Sequence, residues 1–175
     1  HSVCAQGGIN ASVNIKGEGD SPYVHFYETV KGGDFLANQP PVKGMADAAP
    51  NIVFMLDRMG VPFNRTPEGN LDFRRFGGTL FHRTAFAGAT TGQQLLYALD
   101  EQVRRFETVD ATDEHGVAIP GEKMVRKFEF WDFLSVVQDD AGTCVGCVAQ
   151  DMKTMQIKSF PGDAVCLATG GPGIV

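Results

Sequence analysis

No apolar run in the 175-residue chain approaches the roughly 18 residues that a membrane-spanning helix needs. Basic residues are outnumbered, 15 Lys and Arg against 21 Asp and Glu for a formal net charge of -6, which argues against a nucleic-acid partner. There is no initiator Met and no basic-then-apolar leader; the chain opens on His1 and stops at Gly173-Ile174-Val175, and it reads as a fragment. The dinucleotide fingerprint G-x-G-x-x-G does not occur. Cysteines number four. Cys144 and Cys147 have the spacing of half a zinc site, but Cys4 and Cys166 form no second close pair, and His82 and His115 form no H-x3-5-H partner. The sequence therefore implies no metal and four ordinary buried thiols of a reduced, cytoplasmic-type protein.

What is abundant is glycine, 21 residues of 175, clustered in pairs that suit turns approaching a ligand closely. From His1 to Asn14 the chain is small and polar, a loop leading into a short extended segment. Asp20-Ser21-Pro22 starts a helix with Tyr23, Phe26, Tyr27 and Val30 as its apolar face, ended by Gly32-Gly33. A second helix is expected from Pro41 through Ala48 and a third from Pro50 to Gly60, with Ile52, Val53, Leu56 and Met59 at helical spacing. Val61 to Gly78 reads as irregular, with a small hairpin around Pro67-Glu68-Gly69. A helix from Thr91 places Leu95, Leu96, Leu99, Val103 and Phe106 on one face. Thr108 to Arg126 is charged and aperiodic, a surface loop or insertion. Three β-like runs follow, at 128–138, 144–151 and 155–160, as a three-stranded β-meander. Ala164 to Ala168 reads as a buried parallel strand that delivers Thr169-Gly170-Gly171 to a ligand. That order suits a dinucleotide-binding α/β domain.

Five motifs go further. HSVCAQGGINA at the start, Arg74-Arg75-Phe76-Gly77-Gly78, His82-Arg83-Thr84-Ala85, Thr90-Thr91-Gly92-Gln93-Gln94 and Ala168-Thr169-Gly170-Gly171-Pro172-Gly173 occur in this order. Together they resemble the flavoprotein subunit of succinate dehydrogenase and fumarate reductase, over essentially the whole chain. Gly17 to Pro22 and Asp34 to Pro41 resemble the bacterial type, which often works with menaquinone. The resemblance implies the fold class α/β: part of an FAD-binding, Rossmann-like domain of the glutathione-reductase type, with a helical insertion and the β-meander. Residues 1–175 would be a partial FAD-binding domain, without its N-terminal fingerprint strand and its capping and helical domains.

The resemblance also implies the chemistry. His1 would carry FAD covalently, through an imidazole nitrogen bonded to the 8α carbon, a substitution that makes the flavin a stronger oxidant. Ser2, Ala5, Gln6, Gly7 and Gly8 would contact the cofactor, as would Ala168, Thr169 and Gly170. Gln6, Gly7 and Phe76 would form part of the substrate pocket, with Phe76 packed over the dicarboxylate; the acid/base arginine lies outside the chain. Arg74, Arg75 and Arg83 could attract a dianion or could be structural, and His25 and His82 read as surface or satisfied core residues. The implied enzyme interconverts succinate and fumarate and exchanges electrons with an iron-sulfur subunit and, indirectly, a quinone. With a membrane anchor subunit it would sit peripherally at the cytoplasmic face of the membrane. This chain alone would be inactive. The alternatives are a flavoprotein like L-aspartate oxidase with non-covalent FAD, against which His1 argues, and a truncated, non-catalytic flavin-domain remnant.

Overall fold

The computed structural model describes residues 1–171. Its chain forms two compact units, His1–Val125 and Arg126–Val175.

In the first unit, a single 3-10 turn at Ser2–Cys4 leads to strand β1 (Ile9–Asn10). Helix α1 (Pro22–Gly32) starts where Ser21 Oγ accepts the Val24 N–H at 3.2 Å, with Pro22 at the first position, so an otherwise orphaned donor is satisfied. The expected apolar face packs only in part, through Val30 and the half-buried Phe26. His25 and Val30 are buried while Tyr23 and Tyr27 are exposed, because the packed side of α1 also carries a polar cluster described below.

The two helices expected on either side of Pro50 are one, α2 (Gln39–Arg58), with Pro50 inside it. Proline there removes the N–H that would bond the residue 46 carbonyl. The helix nevertheless continues because Ala46, Ala49, Val53 and Leu56 form one unbroken buried stripe across the proline. It ends at Gly60, as the sequence suggests: Gly60 has φ +98°, its N–H donates to the Asp57 carbonyl at 3.0 Å, and the Val61 N–H donates to the Leu56 carbonyl at 3.1 Å. That paired closure is a Schellman cap, which needs the left-handed residue.

The hairpin at Pro67-Glu68-Gly69 is present, with the Thr66 N–H bonded to the Asn70 carbonyl and a bridge between Arg65 and Leu71. It feeds β2 (Phe73–Arg74), and β2 and β1 flank β3 (Thr84–Ala85) in an antiparallel sheet ordered β1-β3-β2. Helix α3 (Thr91–Glu107) follows. The core joins these elements through Ala11, Ala49, Val53, Leu56, Val61, Phe63, Leu71, Phe73, Ala85 and Ala98. Each large apolar side chain buried in this way contributes about 1.5–3 kcal/mol. Only Leu95 of the expected α3 face packs against this core; Leu96, Leu99, Val103 and Phe106 are exposed.

The segment expected as an irregular insertion is instead a hairpin, β4 (Asp110–Thr112) with β5 (Ala118–Lys123). Its turn is closed by Asp113 Oδ1, which accepts the N–H groups of His115 and Val117, with Gly116 at φ +79°. Every residue of the two strands except Ala111 and Ile119 is exposed, so no apolar alternation marks the pair in sequence.

The second unit is a three-stranded antiparallel sheet, β6 (Trp131–Gln138), β7 (Cys144–Asp151) and β8 (Ile157–Pro161), in that spatial order. Phe128, Trp131 and Phe160 pack edge to face on it, with ring centroids 4.7–5.7 Å apart, a favourable aromatic geometry. The expected buried strand at Ala164–Ala168 is not formed: the segment has no strand pairing, and Ala164, Cys166, Leu167 and Ala168 are exposed. A parallel strand exists only against a neighbour that pairs with it, and no described residue does so. All sheets among the described residues are antiparallel, so the architecture is a mixed one of helices and strands. Cysteine burial also departs from expectation: Cys4 and Cys166 are exposed, Cys144 and Cys147 half-buried, and all four are free thiols.

Candidate functional site

The N-terminal segment is seated on the start of α3. Cys4 and Ala5 donate N–H bonds back to the His1 and Ser2 carbonyls, and the Ala5 carbonyl accepts the Gly92 N–H at 2.8 Å. That N–H belongs to the first turn of a helix, where donors have no intrahelical partner. Approach this close requires glycine: a Cβ on Gly92 would lie 1.8 Å from the Ser2 carbonyl oxygen. Thr91 Oγ1 accepts the Ala87 N–H at 3.0 Å and lies 3.5 Å from the Gln6 carbonyl oxygen, tying the same turn to the preceding loop. His1, Ser2, Ala5 and Gln6 remain exposed.

Beyond this seat the chain turns at Gly7 and Gly8. A Cβ on Gly7 would come 2.6 Å from the Phe76 ring, and one on Gly8 would come 2.4 Å from the Ala85 carbonyl oxygen, where φ is +107°. Only glycine lets this backbone lie between the aromatic ring and β3. Arg74 closes the other side. Its Nη2 donates to the carbonyl oxygens of Gln6 and Gly7, both at 2.8 Å, and its Nε donates to that of Gly7 at 3.2 Å. The guanidinium carbon is 5.6 Å from the Phe76 ring centroid and 4.3 Å from that of Phe86. Gln6, Gly7, Arg74, Phe76, Gly88 and Ala89 line a pocket of about 420 Å³. The three residues singled out for the substrate pocket, Gln6, Gly7 and Phe76, thus come together although about seventy positions separate the first two from the third. Phe76 is 54% exposed, not a core phenylalanine.

A larger pocket of about 560 Å³ lies between α1 and the loop that follows Phe76. Beneath it is an ionic cluster. Arg83 is 1% exposed and grips Asp20 with two bonds, Nε to Oδ2 at 3.0 Å and Nη2 to Oδ1 at 2.7 Å, while Nη2 also lies 2.8 Å from Glu28 Oε2. Such forked pairing is what a guanidinium does best. It leaves Arg83 no free charge for a dianionic substrate. His25, 4% exposed, lies in the same layer, and its Nδ1 has no hydrogen-bond partner. Burial, and secondarily the positive charge of Arg83, lowers its pKa from the ordinary 6.5, with Asp20 opposing. The expectation of a satisfied core histidine is therefore half right: it is in the core but not satisfied.

His82 and Arg75 belong to a surface network. Glu18 accepts both the backbone N–H and Nδ1 of His82, each at 2.8 Å, and Arg75 lies 3.6 Å away. The His82 backbone bond, and then its side chain, holds the Glu18 pKa below its usual value. In the second unit, Ala168, Thr169 and Gly170 are exposed, with Gly170 at φ +78° and open space around it; Pro172 and Gly173 of that motif lie outside the described residues. Among the described residues no group of three His, Cys, Asp or Glu side chains could hold a metal.

Two residues of the site have partners that the sequence does not disclose. Gly92 was visible within Thr-Thr-Gly-Gln-Gln, but its task is a contact with residue 2, which spacing does not disclose. Arg74 was legible as a charge, and its actual partners are backbone carbonyls.

Comparison with known proteins then gives the context of these residues. Residues 1–174 match the family model described as FAD binding domain. The chain is 66% identical over all 175 residues to the succinate dehydrogenase flavoprotein subunit of Bacillus subtilis, and 34% identical to the fumarate reductase flavoprotein subunit of Escherichia coli. It spans 28% and 26% of the length of those two relatives. Among solved structures, the Mycobacterium smegmatis Sdh1 complex in the apo form superposes with a TM-score of 0.83 at 31% identity, over 99% of this chain and 28% of that one.

Proposed function

The chain belongs to the family of succinate dehydrogenase and fumarate reductase flavoprotein subunits, and from that membership we propose that it supplies the flavin anchor and one wall of the dicarboxylate pocket of an enzyme that interconverts succinate and fumarate. The observation that carries the reading is the assembly of Gln6, Gly7 and Phe76 around one pocket directly downstream of an exposed His1.

The residues present suit an FAD group. His1 offers an accessible imidazole as the attachment point at the 8α carbon. Gly7 and Gly8 present bare backbone in a place where a Cβ would collide with Phe76 and Ala85, and Ser2 and Ala5 lie on the turn that connects His1 to them. Ala168, Thr169 and Gly170 are exposed, and Gly170 carries no Cβ. When bound, the flavin supplies hydride acceptance from succinate or donation to fumarate, and single-electron exchange with an iron-sulfur subunit.

The chain's own residues orient and shield. Phe76, half in solvent, provides an apolar plate on which a four-carbon dicarboxylate can lie, excluding water from one face. Gln6 and Gly7 line the same pocket. The Gly92 seat fixes where the His1 to Gln6 segment lies relative to Phe76, so that anchor and pocket wall keep one geometry. None of these residues is assigned as acid or base. Docking on an iron-sulfur subunit, with a membrane anchor and a quinone beyond it, places the enzyme peripherally on the cytoplasmic face of the membrane. The relatives' complexes support this reading, and no helix among the described residues is long and apolar enough to cross a membrane.

The test is tryptic digestion of the native protein. The peptide ending at Lys16 is expected to be heavier by one FAD, with flavin fluorescence that survives denaturation. An unmodified peptide would instead favour the non-covalent, L-aspartate-oxidase-like reading.

A further inference from the structure

The proposed chemistry leaves Arg74 without a task, although its Nε and Nη2 donate to backbone carbonyls and not to a carboxylate. Its setting is nonetheless specific. Three N–H···O contacts go to two consecutive carbonyls, and the guanidinium carbon lies 5.6 Å from the Phe76 ring centroid and 4.3 Å from that of Phe86. A lysine has one compact ammonium and no plane to stack, so it cannot reproduce the arrangement.

The consequence lies in peptide geometry. Every peptide bond described is trans, and in a trans peptide the C=O and N–H point in opposite directions. The Gln6 carbonyl shares its peptide with the Gly7 N–H, and the Gly7 carbonyl shares its peptide with the Gly8 N–H. Drawing both carbonyls onto one cation therefore turns both N–H groups away from it. Adjacent N–H groups turned to one side of the backbone are donors available to an anion. The Gly7 N–H bonds to no described residue, and neither glycine has a Cβ to cover the amides.

We propose that Arg74 is a positioning residue that clamps the Gln6-Gly7-Gly8 turn so that its N–H groups face an anionic oxygen in the flavin and dicarboxylate site. The proposal rests on the flavoenzyme reading above. The anionic oxygen has two possible sources with the same chemistry, a substrate carboxylate or the pyrimidine edge of the reduced flavin, and the experiment separates them.

In the native protein, Arg74→Lys and the milder Phe86→Leu, which removes the closer of the two rings, are compared with wild type. Two quantities are measured in protein that retains flavin. One is the Kd for malonate, a non-reactive dicarboxylate, from its perturbation of the flavin visible spectrum; the other is the flavin midpoint potential. If the amides face the carboxylate, Arg74→Lys weakens malonate binding by roughly tenfold or more, as expected for loss of charge-assisted geometry. If they face the flavin, the potential falls by about 30 mV, the two-electron equivalent of the same tenfold change. Phe86→Leu moves the same quantity in the same direction by a smaller factor, and decides alone if Arg74→Lys does not retain flavin. Unchanged Kd and unchanged potential in flavin-loaded variants overturn the clamp, since a purely structural arginine would alter only melting temperature or flavin content. Absence of flavin from the wild-type protein overturns the underlying flavoenzyme reading, and is recognised because it needs no variant.

Discussion

His25 shows how far a residue's character depends on what folding puts beside it. In sequence it is an unpaired histidine on a helix; in the structure it is buried next to Arg83 and Asp20. Burial and the Arg83 charge disfavour its protonated form, so its folded pKa lies below the 6.5 of the unfolded chain. Between those two values the unfolded chain binds more protons than the folded one, and stability must rise with pH there. This contribution is full above pH 6.5 and is lost as pH falls through the lower folded value. The melting temperature of the native protein is thus expected to drop on acidification from pH 7.5 to 5.5, and to drop less in His25→Gln. An equal drop in both would show that another group governs this range; Glu18, whose pKa is lowered from 4.5, acts only at more acid pH. Arg83 carries the same lesson, because only proximity to Asp20 and Glu28 turns a candidate substrate ligand into a buried structural pair.

Among the elements, those with local chemical signals were legible. Ser21 and Pro22 start α1, Gly60 closes α2, and Asp139 with Gly142 forms the turn between β6 and β7, where Asp139 Oδ1 accepts the N–H groups of Ala141 and Thr143. Helix α2 defies its local breaker because a tertiary stripe outweighs it. Ala46, Ala49, Val53 and Leu56 gain their burial only if the helix continues through Pro50. Replacing Pro50 by Ala should restore the bond to the Ala46 carbonyl, with a gain of about 1–3 kcal/mol visible as a higher urea midpoint. A lower midpoint would mean that the proline ring's own packing outweighs the missing bond. The β4–β5 hairpin is hidden in the sequence for the opposite reason: its strands lie almost wholly in solvent and carry no apolar alternation.

At the scale of the whole molecule, many large apolar side chains meet solvent. Leu96, Leu99, Val103 and Phe106 line the expected face of α3 yet are 40–44% exposed, and Leu36, Leu80, Phe130 and Leu167 are 59–87% exposed. Expressed alone, the 175-residue chain is expected to self-associate at micromolar concentration and to bind an apolar dye; light scattering after gel filtration tests this. A monodisperse monomer without dye binding would show that these side chains are tolerated in water.

Sequence by itself determined the family, the ends of most helices, the positions of the three strands in the second unit, and the candidacy of Gln6, Gly7 and Phe76. Each of these depends on residue identity or on contacts a few positions apart, which a one-dimensional reading can weigh. Tertiary structure alone decided that α2 runs through its proline, that Ala164–Ala168 finds no strand partner among the described residues, that Gly92 seats the His1 segment, that Arg74 bonds backbone carbonyls, and that Arg83 spends its charge inside the protein. These outcomes depend on groups distant in sequence competing for the same space or the same hydrogen bond. Such competition is settled only when the chain has brought them together.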